Sequence, residues 1–420
     1  MKTFGNRNSY AQYLVCVLLL VFISGCSSLR TKQVKILAVD GAANDFFGYG
    51  VALSDNTAVV GATKVDHNIN GVDVGAAYVY TRSGNNWVQE AKLLANDGKA
   101  NDEFGGQVAI SGETIIIGVI RDDDDINGVD SGSAYVFTRS GKTWVQSTKL
   151  IANDASKGDS FGWSIGISDD TVVIGAPRDD ELGENSGSAY VFTRSGDTWI
   201  QQAKLTASDG TEGDVFGISA SLSGDTIVIG ADLNEEKGLN AGAAYVFTRT
   251  GNIWSQQAKL TAEDASEGDI FGVRVALDGN TALISARRDD DKIMGVDSGS
   301  AYVFTRTGNT WSQQAKLTAP DGAADDRFGR SVALVGDTAV IGAMFQDEKG
   351  KNSGSAYVFK RSGNNWNLKT QLTADDGAQG DVFGWNVSLS GQTAIISANR
   401  DNDNGENSGS AYLFDLKNYR

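Results

Sequence analysis

Phe216-Gly217-Ile218-Ser219-Ala220-Ser221-Leu222-Ser223-Gly224-Asp225-Thr226-Ile227-Val228-Ile229-Gly230-Ala231 is the stretch whose reading decides the fold. Its leading Phe-Gly pair returns at Phe47, Phe104, Phe161, Phe271, Phe328 and Phe383, each followed by Gly, at spacings of 55 or 57 residues. A fixed period of that size marks a repeat architecture. Seven copies of one unit in 420 residues argue for a single closed array, not a string of independent domains.

Within the unit, residues 216–222 alternate and read as a short strand, followed by the tight turn Ser223-Gly224-Asp225. Residues 226–229 are almost continuously apolar, as in a strand covered on both faces. A polar, acidic loop occupies residues 231–240. Residues 243–248 read as a third strand, Thr250-Gly251-Asn252 as a hairpin turn, and residues 254–260 as a fourth strand, apolar at alternate positions. Four antiparallel strands per unit, seven units and no helical periodicity after the N-terminal segment predict an all-β, seven-bladed propeller. The Tyr-containing strand occurs seven times, from Tyr78 to Tyr412, but the Trp-containing strand after it occurs only six times. Residues 32–41 align with residues 201–210, so residues near 33–38 are expected to complete the last blade. Joining the two ends of the chain removes an open sheet edge.

Composition agrees. Gly is abundant (51) and Pro scarce (2), which suits many tight turns and not a disordered chain. The formal charge is −17. Such a field disfavours nucleic acid and anionic polymers and suits cationic partners or divalent metal. The two cysteines, Cys16 and Cys26, both precede the repeats, so no disulfide framework holds them. A single histidine, His67, argues against histidine-dyad catalysis and zinc on paired histidines.

Residues 13–23 form an apolar run of signal-peptide length after Lys2 and Arg7. Ile23-Ser24-Gly25-Cys26 resembles a bacterial lipobox, which implies a signal peptide over 1–25, lipidation of Cys26 and a tether over 26–32 before the propeller at 33–420. Ser27 differs from the Asp associated with inner-membrane retention, which favours the outer membrane, with the protein periplasmic or surface-exposed.

Phe161-Gly162 with Gly175-Ala176-Pro177 resembles the FG-GAP repeat of integrin α-subunit propellers and their bacterial relatives, over about residues 33–415. Other copies depart from it, as Gly61-Ala62-Thr63, Ser285-Ala286-Arg287 and Ser397-Ala398-Asn399. The resemblance implies adhesion or ligand binding at the cell surface, with calcium as a structural ion. The family's usual calcium loop lies between the first two strands; here that connection is too short for a metal cage, so its ligands are not carried over. The second-to-third-strand loops are better candidates. Asp123, Asp125, Asn127 and Asp130 place oxygens at alternate positions around Gly128, and Asp66, Asn68, Asn70 and Asp73 do so around Gly71. The last copy keeps Asp401, Asp403 and Asn407 around Gly405. A solvated acidic loop with Asx turns is the bland alternative.

A site in a ring of repeats more often breaks the repeat than obeys it. Two residues after Phe the copies carry Tyr49, Gly106, Trp163, Ile218, Val273, Arg330 and Trp385. Tyr49, Trp163, Arg330 and Trp385 are candidates for a ligand platform at the mouth of the central channel; packing between blades is the alternative. The long loops should share one acidic face and the tight turns the other. The functional expectation is a monomeric, non-enzymatic, lipid-anchored binding or adhesion propeller offering its acidic loop face to a protein or glycan. The alternatives are an envelope glycan hydrolase using loop carboxylates and a scaffold subunit of an envelope complex.

Overall fold

A computed structural model describes residues 33–67, 70–123 and 128–419. Cys26 and the anchor segment lie outside the described residues, as do Asn68, Asp125 and Asn127. The chain forms seven four-stranded antiparallel sheets, with blades numbered here by their Phe-Gly pairs. Blade 4 is typical, with strands Ser219–Ser223, Thr226–Ala231, Ala243–Thr250 and Ile253–Leu260 in order from channel to rim.

The core lies between blades. Ile227 and Ile229 of the second strand pack with Val173 and Val191 of blade 3, whereas Val228 and Val246 pack with Phe271 and Ile284 of blade 5. Both faces of the second strand are thus covered, and all of its residues are buried. This is why residues 226–229 are apolar without alternation. Each such side chain contributes about 1.5–3 kcal/mol of burial. The rim strand has no such cover on both faces: most of its residues are only partly buried or exposed, and a bulge against the third strand at Gln257 interrupts its alternation.

The Phe-Gly pair departs from the expected strand. In blade 4 the first strand starts only at Ser219, and Phe216-Gly217 forms a joint before it. The Phe216 amide donates to the Ser186 carbonyl of blade 3 (3.0 Å). Its ring packs edge-on against Tyr245 and Phe247 of its own blade, at 5.5 and 6.0 Å. Gly217 turns the chain at φ +96°, and a Cβ on Gly175 of blade 3 would stand 2.0 Å from the Gly217 carbonyl. Only glycine permits that approach. Blades 5 and 7 carry Ser285 and Ser397 at the Gly175 position. The blades that follow them, 6 and 1, are the two whose inner strands start at the Phe, as Phe328–Val335 and Phe47–Ser54. The serine Cβ keeps the neighbouring backbone away, and the Phe-Gly pair joins its own sheet instead.

Gln33–Ile36 is the rim strand of blade 7, pairing antiparallel with Ser410–Asp415 from Gln33 opposite Phe414 to Ile36 opposite Ala411. N- and C-terminal segments therefore close the ring within one sheet. First-to-second and third-to-fourth connections are tight turns on one face; the long loops share the other.

Candidate functional site

On the long-loop face, rim-strand lysines hold carboxylates from the loops above them. In blade 3 the rim lysine Lys204 reaches under the loops and donates to Asp154 (2.7 Å), Glu181 (2.9 Å) and Asp179 (3.1 Å). Asp179 is buried and also accepts from Ser188 and Tyr190. Burial opposes the lysine's charge, but the three carboxylates outweigh it and hold its pKa above the ordinary range. Lys149, Lys259, Lys316 and Lys35 repeat the arrangement in other blades. In blade 6 a neutral pair replaces it: Gln371 donates to Ser355 and Tyr357, and Ser355 donates to Gln346.

This decides how the expected metal ligands are placed. Asp376, Asp401 and Asp403 converge as an ion's ligands would. At their centre is the Lys35 ammonium, 2.8, 2.8 and 2.6 Å from them. That donor set does not fit a divalent cation unless Lys35 leaves. Asn407 lies apart from the triad's lysine: its amide donates to Asn402 and its side chain to Asn44. In the first two blades Asp66 and Asp123 each accept an amide of their own loop, from Asp73 and Asp130. The Asp73 carboxylate also meets Lys64 at 2.9 Å. Asn70 is described, with no contact bringing it to these carboxylates.

The loops entering each blade hold a second set of acids. Asp102, Asp159, Asp269 and Asp381 each accept an amide three residues before them, yet burial raises each to about 6. Asp40, Asp97, Asp154, Asp209, Asp264 and Asp376 are lowered: burial resists, and the lysine bonds prevail. The raised group binds more protons folded than unfolded between about pH 4 and 6, so stability falls as pH rises through that window. The lowered group's contribution is complete above its ordinary range and fades below it. Thermal unfolding is therefore expected at a Tm on the order of 3 °C higher near pH 5 than near pH 7.5. A flat or rising Tm across that interval would remove the raised-acid account.

The central channel encloses about 300 Å³ and is lined by three inner-strand residues from each blade, such as Val51 to Leu53 and Val275 to Leu277. At its long-loop end Tyr49, Trp163, Arg330 and Trp385 together line one cavity of about 70 Å³. The four repeat-breaking side chains thus meet. The Trp385 ring lies 5.5 Å from that of Tyr49, and its Nε1 donates to the Tyr49 carbonyl at 3.2 Å. Asn386 Nδ2 donates to the same carbonyl. The Arg330 guanidinium stacks 4.0 Å from the Trp385 ring centroid. Tyr49 and Arg330 belong to blades 1 and 6, the two whose inner strands start early behind Ser397 and Ser285.

The same cavity is lined by Arg274, one position further along the repeat, which reading only the position after Phe-Gly missed. Blades 3, 4 and 6 carry Ser164, Ser219 and Ser331 there, each donating to the next blade's Gly carbonyl. Arg274 gives up that stitch and donates to its neighbour's carbonyl, Val273 O (2.8 Å). Arg287 and Asp232 likewise break the repeat at the end of the second strand. Burial raises Asp232 to about 6 against the pull of Arg287 and Arg274. Burial, then Arg274, lowers Arg287 to about 10. Tyr49, Ile120 and Trp163 also line a groove of about 530 Å³ over blades 2 and 3. Arg178 stands 6.0 Å over the Trp163 ring there.

A family model described as FG-GAP repeat matches seven segments: residues 31–80, 87–137, 144–192, 199–247, 254–304, 311–359 and 366–414. No curated protein matches the sequence. Among solved structures the chain is similar to one in "Crystal Structure of Mitotic Checkpoint Complex", with a TM-score of 0.56 at 11% identity over 99% of this chain and 98% of that chain. It is also similar to Saccharomyces cerevisiae Sqt1, with a TM-score of 0.49 at 11% identity over 93% of this chain and 86% of that chain. At 11% identity the first of these likenesses speaks for the fold alone.

Proposed function

The chain belongs to the FG-GAP repeat family, and from that premise we propose that it is a non-catalytic binding propeller of the bacterial cell envelope. Cys26 carries its lipid anchor, with the outer membrane as its place, and a protein or glycan ligand docks at the long-loop face, as in adhesion. The observation that carries this reading is the convergence of Tyr49, Trp163, Arg330 and Trp385 on one cavity, beside a groove that shares Tyr49 and Trp163 with it. Aromatic and arginine side chains dominate binding hot spots.

Trp163 is the side chain to test, because it is partly exposed and lines both cavity and groove. Trp163→Ala is expected to weaken binding to arrayed envelope glycans and proteins by about 30-fold, with Tm unchanged. Undiminished binding by the variant would move the ligand site elsewhere. Release of reducing sugar from a bound glycan would replace binding with hydrolysis.

Calcium enters the proposal only at the loops of the first two blades, through Asp66, Asn70 and Asp73 and through Asp123 and Asp130. Calcium at about 100 times its dissociation constant is expected to stabilise the ring by about 2.7 kcal/mol, reversed by chelator and absent in Asp123→Asn with Asp66→Asn. No shift in Tm would leave these loops with Asx turns alone.

A further inference from the structure

We propose, building on the reading of the channel mouth as the ligand site, that the mouth is an oxyanion pocket for a single carboxylate at the end of an otherwise neutral glycan. Arg330 is 7% exposed, and its Nε has no hydrogen-bond partner among the described residues. Nor does it form an ion pair among them; its one close partner is the face of Trp385. The Nε of Arg287 is equally unpartnered. Arg274 lines the cavity and makes one bond, to a carbonyl beside it. Three guanidiniums thus gather at one end of the channel in a chain whose net charge is −17. Asp232 is the carboxylate that acts on two of them, Arg274 and Arg287, and burial favours its neutral form.

A buried charge without a partner costs several kcal/mol. Burial, then Arg274 and Arg287, press on the Arg330 charge and lower its pKa well below the ordinary range. An incoming oxyanion relieves Arg330, and a planar guanidinium held against Trp385 offers paired N–H donors in the geometry a carboxylate accepts. The stack, with Trp385 tied to Tyr49, fixes the fork before any ligand arrives.

The surroundings choose the rest of the ligand. A cavity of about 70 Å³ takes an anionic headgroup and little more. The adjoining groove presents the Trp163 ring among planar polar side chains, Asn101, Glu103, Arg121 and Arg178, which suits a sugar ring. Apart from Tyr49 it is lined by loop residues, so it offers no strand edge along which a peptide could extend. The acidic long-loop face around the mouth repels a polyanion and admits a ligand carrying one charge at its tip.

Cellobiouronic acid and cellobiose make a matched probe pair, identical but for a carboxylate in place of a hydroxymethyl group. By calorimetry and tryptophan fluorescence on the soluble propeller, the acid is expected to bind at least about tenfold more tightly than cellobiose. Arg330→Gln is expected to abolish that difference with the fold intact, the Tm being equal or higher because an unpaired buried charge is gone. Arg274→Gln is expected to reduce it in part. Equal binding of both sugars, tighter binding of triglutamate than of the acid, or no binding of the acid would each overturn the oxyanion pocket. Equal sugar binding that Trp163→Ala abolishes would overturn it while keeping the mouth as the ligand site. Arginine-dependent binding of the acid that Trp163→Ala leaves untouched would keep the pocket and remove the platform.

Discussion

A soluble chain that begins at Val39 instead of Gln33 is expected to lose at least about 5 kcal/mol of stability, on the order of 6 °C in Tm for a ring of this size, and to self-associate. Three losses combine. The Gln33–Ile36 strand leaves, so Ser410–Asp415 becomes an open edge with unpaired N–H and C=O groups. Ile36, which is buried with Leu413, is removed from the core shared by blades 7 and 1. Lys35 goes with it, leaving the buried Asp401 among Asp376, Asp403, Tyr412 and Ser410 with no cation. Urea unfolding and size-exclusion chromatography measure the effect, and a peptide of residues 33–38 added in excess is expected to restore the monomer. An unaltered midpoint in the truncated chain would show that the ring does not depend on this strand.

Lys204→Met is expected to cost about 3–5 kcal/mol, because it strands the buried Asp179 without its cation. The measure is the urea midpoint at pH 7. The repeat contains its own control. Blade 6 puts Gln371 and Gln346 in place of the lysine and the buried aspartate, where they meet the equivalent serine and tyrosine, and the tyrosine hydroxyl donates to Asp321. The double variant Lys204→Gln with Asp179→Gln is therefore expected to recover most of the loss, to within about 1.5 kcal/mol of the parent, as a neutral hydrogen-bonded replacement should. A single variant that costs nothing would mean the ammonium is a surface pair of little worth. A double variant as unstable as the single would mean that packing of the lysine stem matters more than charge.

The fold was legible because the repeat supplies the same instruction seven times. Alternation in residues 254–260 marks a rim strand, and its absence in residues 226–229 marks a strand covered by two neighbours. The missing Trp strand showed where the ring closes. The Phe-Gly joint was less legible. A period of two cannot distinguish a first strand from a backbone turned at φ +96° by a neighbouring blade, since that turn depends on how close Gly175 comes to Gly217.

The site divides in the same way. Departure from the repeat singled out Tyr49, Trp163, Arg330 and Trp385, because equivalent packing sites tolerate identical residues and this position ranges from Gly106 to Trp163. The same criterion applied at the next position would have added Arg274. For the acidic loops, residue spacing describes oxygens along one chain segment. It is silent about a lysine brought under them from the rim strand, or, for Lys35, from the other end of the chain, 366 positions from Asp401.

The amino-acid sequence by itself determined the number of blades, the order of their strands and the strand that closes them, because each follows from local periodicity and a count. Tertiary structure alone decided which cation neutralises the loop carboxylates and that Arg274 and Arg287 stand close enough to Arg330 to act on its charge. Both depend on charges separated by tens to hundreds of residues, and only the closing of the ring brings such groups within a few ångströms, where burial makes a missing partner costly.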